Sequence, residues 1–347
     1  MSGTSLDGLD IAFCRFELKD NGNWEYQIEE AECIEYDEYW QNQLNDAPNL
    51  SGYHLMVLHK DYGQFIGERV NNFTRKNDLK PDLISSHGHT VFHDPGNRLS
   101  FQLGDGAAIY ATTSIPTVCD FRALDVCLGG QGAPLVPIGD ALLFKEYHYC
   151  LNLGGIANIS FDKNGKRLAY DICGCNLLLN KLAVEKGLSY DKNGILGSQG
   201  KINDTLLLQL NAWSYLSSSP PKSLDKETML GELLPIINGS HCSVEDKLAT
   251  VVEHISYQVS NAIAAAGKNI LITGGGVFNR FLMEKIREKS KVNCIVPDEK
   301  LIQYKEALIF AFLGLLRVRN EVNSLATVTG AKQNSMGGAL YGAINFD

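Results

Sequence analysis

The stretch Met1-Ser-Gly-Thr-Ser-Leu-Asp-Gly-Leu-Asp10 decides how the rest of the chain is interpreted. Its composition is typical of a phosphate-binding turn, because Gly3 and Gly8 allow backbone conformations that other residues avoid. Successive backbone N–H groups in such a turn can form an anion-binding concavity. Residues 9–18 then alternate as in a β-strand. A hairpin turn of Ser, Gly and Asp residues that binds no ligand is the alternative, and short motifs leave both open.

Two acidic residues in this stretch, Asp7 and Asp10, would repel a phosphate unless a cation lay between them. Mg²⁺ is commonly held by one or two carboxylates together with nucleotide phosphates. We therefore expect Asp7 and Asp10 to be candidate metal ligands.

Composition limits the class of protein. A chain of 347 residues predicts two domains, and 44% hydrophobic residues are ample for their cores. The net charge of −9, without a basic patch, argues against nucleic acid and anionic membranes as partners. Nine scattered cysteines and the lack of a signal-peptide pattern favour a reducing cytoplasm.

The segment Ser86-His-Gly-His-Thr-Val-Phe-His-Asp-Pro95 is rich in histidine. Its three imidazoles, on His87, His89 and His93, could bind a metal, but no acidic or cysteine ligands accompany them at standard spacing. We expect instead a loop at the end of a strand that contacts a ligand. A purely structural loop with hydrogen-bonded histidines is the remaining alternative.

A second glycine turn, Gly154-Gly155, lies between the predicted strands 149–153 and 156–161. The next predicted strand, 167–171, ends in Asp171. A carboxylate at that position is a candidate general base. The alternative is an Asp that caps the helix that follows.

A third glycine turn, Gly274-Gly-Gly276, follows the predicted buried strand 269–273 and precedes a helix. This arrangement lets the backbone approach a nucleotide closely. The remaining pattern predicts a second strand at 24–36, an inter-domain loop at 128–134, a loop-rich lid at 187–243 and helices at 53–75, 106–112, 243–266, 302–319 and from 335 onward.

The order of these turns resembles the actin-like, sugar-kinase and heat-shock ATPase superfamily. Within it, many strings resemble the anhydro-N-acetylmuramic acid kinase family over the whole chain. They are Met1–Asp10, Ser86-His-Gly-His-Thr90, Gln102-Leu-Gly-Asp105, Asp120-Phe-Arg122, Gly129-Gly-Gln-Gly-Ala-Pro-Leu-Val-Pro137, Leu151-Asn-Leu-Gly-Gly-Ile-Ala-Asn158, Pro220-Pro-Lys-Ser223, Gly274–Gly276 with Asn279, and Val328-Thr-Gly-Ala331.

The resemblance implies an α/β, two-domain actin-like ATPase (ribonuclease H-like) fold with an ATP cleft between the domains. The N-terminal domain would comprise 1–128 plus 322–347 and the C-terminal domain 129–321. The implied enzyme is a cytoplasmic phosphotransferase with an alcohol group as acceptor. It would use ATP and Mg²⁺ to convert 1,6-anhydro-N-acetylmuramic acid to N-acetylmuramic acid 6-phosphate in peptidoglycan recycling. A homodimer is also implied.

The resemblance also implies roles for individual residues. Asp171 would be the base that activates water, and Arg122 would bind the lactyl carboxylate of the sugar. The other candidate sugar contacts are His89, Thr90, Gln102 and Asp105. The candidate ATP contacts are Gly3, Thr4, Ser5, Leu6, Asp7, Gly8, Leu9, Asp10, Gly154, Gly155, Gly274, Gly275 and Gly276.

The sequence departs from the family pattern at two places. The family usually has Asp-Thr-Gly-Pro-Gly-Asn where this chain has Asp171-Ile-Cys-Gly-Cys-Asn176. A kinase for another sugar, or an ATP-binding protein that has lost catalysis, therefore stays open as an alternative. The family also has a short apolar strand before Met-Ser-Gly-Thr-Ser, so we expect the native chain to begin upstream.

Overall fold

The computed structural model describes residues 1–3, 6, 8–220, 222–263 and 267–344. The chain forms two compact units: unit 1 comprises 1–143 with 304–347, and unit 2 comprises 144–303. The boundaries predicted from the sequence lay at 128/129 and 321/322. The chain therefore first passes from unit 1 to unit 2 after residue 143, and not in the glycine-rich loop at 128–134 that was expected to connect the domains. Which domain binds which ligand stays a prediction.

Strands and helices are interspersed along the whole chain, which confirms the α/β class. The strands in the described residues are β1 (Gly8–Leu18), β2 (Trp24–Glu35), β3 (Ile84–Ser85), β4 (His89–Asp94), β5 (Leu99–Leu103), β6 (Thr117–Cys119), β7 (Tyr149–Leu153), β8 (Ile156–Lys163), β9 (Lys166–Gly174), β10 (Asn269–Thr273), β11 (Asn293–Ile295) and β12 (Ala339–Tyr341).

The α-helices in the same residues are α1 (Glu38–Asp46), α2 (Gly52–Lys76), α3 (Gly106–Thr113), α4 (Ala123–Cys127), α5 (Val136–Leu143), α6 (Asn176–Val184), α7 (Ile195–Gln199), α8 (Asp204–Asn211), α9 (Lys226–Asn238), α10 (Val244–Ala262), α11 (Arg280–Ser290), α12 (Glu299–Val318) and α13 (Ala326–Thr329). Short 3₁₀ turns lie at Ala47–Asn49, Pro95–Asn97, Lys192–Gly194, Ser214–Ser217 and Gly275–Phe278. None of the described helices combines the length and the apolar character that a bilayer crossing requires.

Several helices begin where a side-chain cap was recognisable in the sequence. Ser51 caps α2, Asp105 caps α3 and Ser243 caps α10, each by accepting a hydrogen bond from a backbone N–H in the first turn. Such caps satisfy backbone donors that have no partner inside the helix. Helix starts were therefore predicted well from local sequence.

Unit 2 contains one continuous five-stranded sheet in the order β11-β10-β7-β8-β9. The central β7 is parallel to β10 on one side and antiparallel to β8 on the other, and β8 is antiparallel to β9. This order, with one antiparallel strand next to an edge strand, is the ribonuclease H-like arrangement that the sequence predicted. Buried residues of these strands pack against α6, α10 and α11 in one hydrophobic core.

Unit 1 has a divided sheet. Its strands form a β1–β2 hairpin, a β4–β5 hairpin and the three-stranded sheet β12-β6-β3. Ser2 makes isolated bridges to Leu9 and to His89, and so links the two hairpins. A cavity of about 390 Å³, lined by β1, β3, α2 and α12, separates β1 from β3. Of the predicted ligand-binding residues that the structure describes, only Leu9 and Asp10 line this cavity.

Two predicted elements are wrong. Residues from 335 onward were expected to begin a helix, but 339–341 form β12, antiparallel to β6. Gly338, with φ +116°, has a backbone conformation that a helix does not contain. The histidine-rich segment was expected to be a loop, yet its second half is β4, which pairs with β5.

The predicted lid, 187–243, is more helical than expected. It contains α7, α8 and the 13-residue α9. Asp225 caps α9 by accepting a hydrogen bond from the Thr228 N–H. Met229, Leu233 and Ile237 of α9 are buried, so this segment belongs to the core of unit 2.

Candidate active site

The β4–β5 hairpin of unit 1 brings together three of the five predicted sugar contacts, His89, Thr90 and Gln102. Thr90 lies opposite Gln102, and His89 lies opposite Leu103. His89 and Gln102 are 5% and 8% exposed, so both polar side chains are almost fully buried. Buried polar groups normally have hydrogen-bond partners, and the partners of these two residues are therefore informative.

Gln102 has one amide atom without a partner. Its Nε2 donates to the Ser100 hydroxyl at 3.0 Å. Its Oε1 is buried and has no hydrogen-bond partner among the described residues. A buried acceptor without a partner costs free energy, and a ligand hydroxyl would relieve that cost. This observation favours Gln102 as a ligand contact.

Arg122 lies at the N-terminus of α4 and is fixed by two hydrogen bonds. Its Nε donates to His87 Nε2 at 3.0 Å, and its Nη1 donates to the Gly132 carbonyl at 2.6 Å. Burial lowers the pKa of Arg122, while the carboxylates of Glu306 and Asp125 oppose that shift. The guanidinium remains charged, since an unperturbed arginine titrates far above neutral pH. It can therefore bind an anion.

Asp105 is already engaged within the protein. Its Oδ1 accepts from the Ala108 N–H at 2.7 Å, and its Oδ2 lies 2.7 Å from Lys60 Nζ. Burial opposes ionisation of Asp105, but the hydrogen bonds from Lys60 and Ala108 outweigh it and lower its pKa. Asp105 is thus the N-cap of α3, and its contact with the sugar stays a prediction.

The N-terminal glycine turn is described only in part. Thr4, Ser5 and Asp7 were predicted to bind ATP, and Asp7 also a metal, but they lie outside the described residues. Leu6 has φ +60°, a left-handed conformation that marks a tight turn. A Cβ on Gly8 would lie 2.6 Å from the Ile34 carbonyl oxygen, so only glycine fits there. Asp10 pairs with Met1 through backbone hydrogen bonds at 2.7 and 2.8 Å.

The second and third glycine turns meet in unit 2. A Cβ on Gly274 would lie 2.5 Å from Asn152 Oδ1, and one on Gly276 would lie 2.7 Å from Leu153 Cβ. The Gly154 and Gly155 carbonyls accept from backbone N–H groups at the start of α6. Asn152 and Leu153, which precede the second turn, therefore lie against Gly274 and Gly276. The predicted phosphate turn and the predicted adenosine turn lie side by side in this unit.

Asp171 lies inside β9, and not at its end as predicted. Its Oδ2 accepts from the Leu224 N–H at 2.8 Å, and its backbone carbonyl accepts from the Tyr215 hydroxyl at 2.7 Å. The residue before α6 is Cys175, and no side chain caps that helix. The alternative role of Asp171 as a helix cap is thereby excluded.

The half-buried position of Asp171 changes its acidity. Burial raises its pKa to about 6, while the hydrogen bond from Leu224 acts in the opposite direction. A carboxylate with a pKa near 6 is still mostly ionised at neutral pH, and it is a stronger base than an ordinary aspartate. These are the properties of a general base for water.

The residues that hold Asp171 were not recognisable in the sequence. They belong to the segment after α8: Tyr215 binds its carbonyl, and the Lys222 carbonyl accepts from the Asp171 N–H at 3.3 Å. Lys222 Nζ lies 4.5 Å from the centre of the Tyr215 ring and donates to the Tyr215 carbonyl at 3.3 Å. Lys222 lies in the string Pro220-Pro-Lys-Ser223, which the sequence singled out without assigning it a role.

The segment that departs from the family pattern is buried. Ile172, Cys173 and Cys175 are at most 4% exposed and belong to the hydrophobic core of unit 2. Burial raises the pKa of Cys175 to about 12, so its thiol stays protonated. The substitutions in this segment therefore change core packing around β9, and leave the carboxylate of Asp171 in place.

The described residues contain no preformed metal site made of protein side chains alone. No three side chains of His, Cys, Asp or Glu converge there in a group that could hold a metal ion. Asp7, one half of the predicted pair, lies outside the described residues. The carboxylate of Asp10 makes no hydrogen bond or ion pair with the described residues. One free carboxylate together with nucleotide phosphates is a donor set that suits Mg²⁺.

Comparison with known proteins identifies the family. The family model described as anhydro-N-acetylmuramic acid kinase matches residues 1–343. The chain belongs to this family. It is 31% identical to the anhydro-N-acetylmuramic acid kinase of Mannheimia succiniciproducens, over 98% of this chain and 97% of that protein. It is 33% identical to the enzyme of that name from Aliivibrio fischeri, over 99% and 98%.

Solved structures resemble the chain less closely. The activator of the 2-hydroxyisocaproyl-CoA dehydratase from Clostridium difficile, with bound ADPNP, gives a TM-score of 0.35 at 17% identity. That comparison covers 54% of this chain and 66% of the activator, and a likeness of this size supports no conclusion. The family match confirms the resemblance predicted from the sequence and makes the chain a kinase, with ATP as the implied phosphoryl donor.

Proposed function

We propose that this chain uses ATP and Mg²⁺ to convert 1,6-anhydro-N-acetylmuramic acid to N-acetylmuramic acid 6-phosphate. The family match supports the substrate, since relatives at 31% and 33% identity carry that enzyme's name. The environment of Asp171 is the observation that carries the chemistry. It supplies a half-buried carboxylate with a raised pKa, held by backbone groups rather than by a cation.

The reaction joins two events. Asp171 takes a proton from water as the water oxygen bonds to the anomeric carbon, and the bond from that carbon to O6 breaks. The freed O6 takes the γ-phosphoryl group, and ADP leaves. Because phosphoryl transfer needs mainly positioning and charge neutralisation, a dedicated base is required only for the water. With a pKa of about 6, Asp171 is roughly nine-tenths ionised at pH 7.

The remaining residues bind and orient the substrates. The glycine turns at Gly154–Gly155 and Gly274–Gly276 offer backbone groups to the nucleotide. Mg²⁺, when bound by Asp10 and the phosphates, would neutralise phosphate charge. His89, Thr90 and Gln102 bind sugar oxygens, and Arg122 binds the lactyl carboxylate. A guanidinium is well suited to a planar carboxylate.

An ADP-release assay with 1,6-anhydro-N-acetylmuramic acid tests this proposal. Wild type, Asp171→Asn and Asp204→Asn would be compared, because Asp204 is an exposed aspartate in the same unit. Sugar-dependent release in wild type and Asp204→Asn, but not in Asp171→Asn, is the expected result. Release that persists in Asp171→Asn would remove Asp171 as the base. No release from wild type with this sugar would remove the substrate.

A further inference from the structure

Two buried histidines, His87 and His89, lie two residues apart, and each is 5% exposed. Burial lowers the pKa of both, so both imidazoles are neutral near pH 7. A neutral imidazole has one nitrogen that donates and one that accepts, and the neighbours decide which is which. The neighbours of these two rings can therefore be used to place each proton.

His87 has its proton on Nδ1. That nitrogen lies 3.0 Å from the Gly88 carbonyl oxygen, which can only accept a hydrogen bond. The other nitrogen, Nε2, receives the Nε–H of Arg122 at 3.0 Å, so it must carry a lone pair. The two contacts agree on one tautomer. His87 is thus an acceptor that orients the guanidinium of Arg122.

Arg122 keeps donors for a ligand after these contacts. His87 takes its Nε–H, and the Gly132 carbonyl takes one Nη1–H. Among the described residues, no group accepts a hydrogen bond from Nη2. The ring of Phe310 lies 5.9 Å from the central carbon of the guanidinium and limits its rotation. His87, Gly132 and Phe310 therefore fix a cation that retains free N–H groups.

A chain of buried hydroxyl groups leads to His89. Tyr62 OH lies 2.5 Å from Tyr36 OH, Tyr36 OH donates to Ser2 Oγ at 2.8 Å, and Ser2 Oγ lies 3.0 Å from His89 Nδ1. Each hydroxyl has one proton. Since Tyr36 gives its proton to Ser2, Tyr62 must donate to Tyr36. The chain therefore runs in one direction, from Tyr62 towards His89.

The proton of Ser2 settles the tautomer of His89. Ser2 is 2% exposed, and its hydroxyl accepts from Tyr36 at 2.8 Å and also interacts with the Tyr62 hydroxyl, which donates to Tyr36. The acceptor for the Ser2 proton is therefore His89 Nδ1, at 3.0 Å. If His89 donated from Nδ1 instead, the Ser2 proton would be buried without an acceptor, at a considerable cost. Nδ1 therefore accepts, and Nε2 carries the proton. No described residue accepts a hydrogen bond from that Nε2–H.

We propose that Ser2, oriented by Tyr36, is a positioning residue that holds His89 as an Nε2–H donor to a sugar oxygen, while His87, in the opposite tautomer, orients Arg122 towards the sugar carboxylate. The ligand assignment rests on the proposed function, whereas the two tautomers do not. Specificity then arises from a neutral donor and a cation that are fixed by different hydrogen-bond chains within one unit. A substrate without a carboxylate would use only the first of them.

Nitrogen-15 NMR of the full chain labelled at histidine tests the tautomers directly. At neutral pH without ligand, we expect the protonated nitrogen of His87 to be Nδ1 and that of His89 to be Nε2. Ser2→Ala should give His89 a mixture of both tautomers and leave His87 unchanged. Ser51→Ala is the matched control, because it removes a Ser Oγ–His Nδ1 contact of 2.9 Å at exposed His54. That variant should change only His54.

Steady-state kinetics tests the consequence for binding. Ser2→Ala should raise KM for the anhydro-sugar about 3- to 10-fold, with little change in kcat or in KM for ATP. Ser2→Thr, which keeps the hydroxyl, should restore both KM and the tautomer. Equal losses in kcat and in both KM values, without rescue by threonine, would indicate a merely structural role and overturn the proposal.

Two NMR outcomes would also overturn it. One is a wild-type His89 protonated on Nδ1, and the other is an unchanged His89 tautomer in folded Ser2→Ala. If Ser2→Ala proves unstable, the wild-type spectrum alone decides the matter. If the tautomers are as expected but the anhydro-sugar is not phosphorylated, the proposed substrate fails and the positioning role of Ser2 stands.

Discussion

The polar residues of the β4–β5 region and the carboxylate of Asp171 are held in place in different ways. In unit 1, the side chains of Ser2, Tyr36 and Tyr62 form the hydrogen-bond chain that fixes His89. The side chain of His87 and the Gly132 carbonyl fix Arg122. In unit 2, one segment, 215–224, fixes Asp171 mainly through backbone groups and a single tyrosine hydroxyl. Both groups of residues are largely buried. The contacts in unit 1 orient hydrogen-bond donors, whereas burial in unit 2 raises the pKa of the Asp171 carboxylate.

Because of this difference, we expect substitutions in the unit 1 group to affect substrate binding and substitution of Asp171 to affect the chemical step. Hydrogen-bond chains made of side chains fail when any member is removed, because a buried partner is then left unsatisfied. Backbone donors remain after most substitutions. The unit 1 group should therefore be sensitive at many positions, and the unit 2 group chiefly at Asp171 itself.

The largest expected effect is at Asp171. Asp171→Asn keeps an acceptor for the Leu224 N–H but removes the base, so we expect kcat to fall about 10²- to 10⁴-fold with little change in KM for ATP. Asp204→Asn should retain wild-type activity. If kcat of Asp171→Asn stayed within a few-fold of wild type, Asp171 would not be the base, and the proposed division between a binding region in unit 1 and a catalytic region in unit 2 would be wrong.

The second effect is at Arg122. Arg122→Lys keeps the charge but loses the fixed geometry set by His87 and Gly132, and we expect KM for the sugar to rise about 10- to 100-fold. Exposed Arg98, in the loop between β4 and β5, offers the control Arg98→Lys. An anhydro-sugar without the lactyl group should show no difference between wild type and Arg122→Lys. A difference there would contradict the carboxylate assignment.

The third effect is on pH dependence. Because burial raises the pKa of Asp171 to about 6, its basic form is lost as pH falls through that value. We expect kcat to be level near pH 7.5 and to fall about tenfold per pH unit well below pH 6. A profile with its acid limb near pH 4 would show that Asp171 titrates like an ordinary aspartate. His87 and His89 should not make kcat depend on pH at or above the ordinary histidine pKa of about 6.5, since burial lowers the pKa of both.

The same pKa shift predicts a smaller effect on stability. The pKa of Asp171 is higher in the folded chain than in the unfolded chain, so its protonated form favours folding. That contribution is present below about pH 4 and is lost as pH rises through about 6. Asp171→Asn should therefore raise the free energy of unfolding at pH 7.5 by on the order of 1 kcal/mol, given its partial exposure. Urea denaturation of wild type and Asp171→Asn at pH 4.5 and 7.5 measures this change in the free energy of unfolding. An equal change at both pH values would contradict the predicted effect of the raised Asp171 pKa on stability.

The smallest effect is expected at Tyr215. Tyr215→Phe removes one hydrogen bond to the Asp171 carbonyl, and we expect a loss of about 1 kcal/mol in stability and a change in kcat of only a few-fold. Tyr190→Phe, at a residue that is 54% exposed, is the control. A loss of kcat as large as that of Asp171→Asn would show that the segment 215–224 acts in catalysis as directly as Asp171.

Much of the molecule was already determined by local sequence. Helix starts at Ser51, Asp105 and Ser243 were predictable because a cap satisfies backbone donors within one turn. The strand–glycine–strand pattern around Gly154 and Gly155 was predictable because residues with small side chains and free φ angles are needed there. The glycine turns and Asp171 were also recognisable as candidate ligand residues, although their roles stay predictions.

Other features depended on contacts between distant residues. β12 is a strand because β6, which is far away in the chain, supplies its hydrogen-bond partners, and this pairing is not visible in a short window of sequence. The basicity of Asp171 depends on burial beneath the segment 215–224, and the tautomers of His87 and His89 depend on Gly88, Arg122, Ser2 and Tyr36. The sequence by itself determined which chemical groups are present and where helices and turns begin. Only the tertiary structure decided which nitrogen carries a proton and which carboxylate has a raised pKa, because burial and hydrogen-bond partners set both.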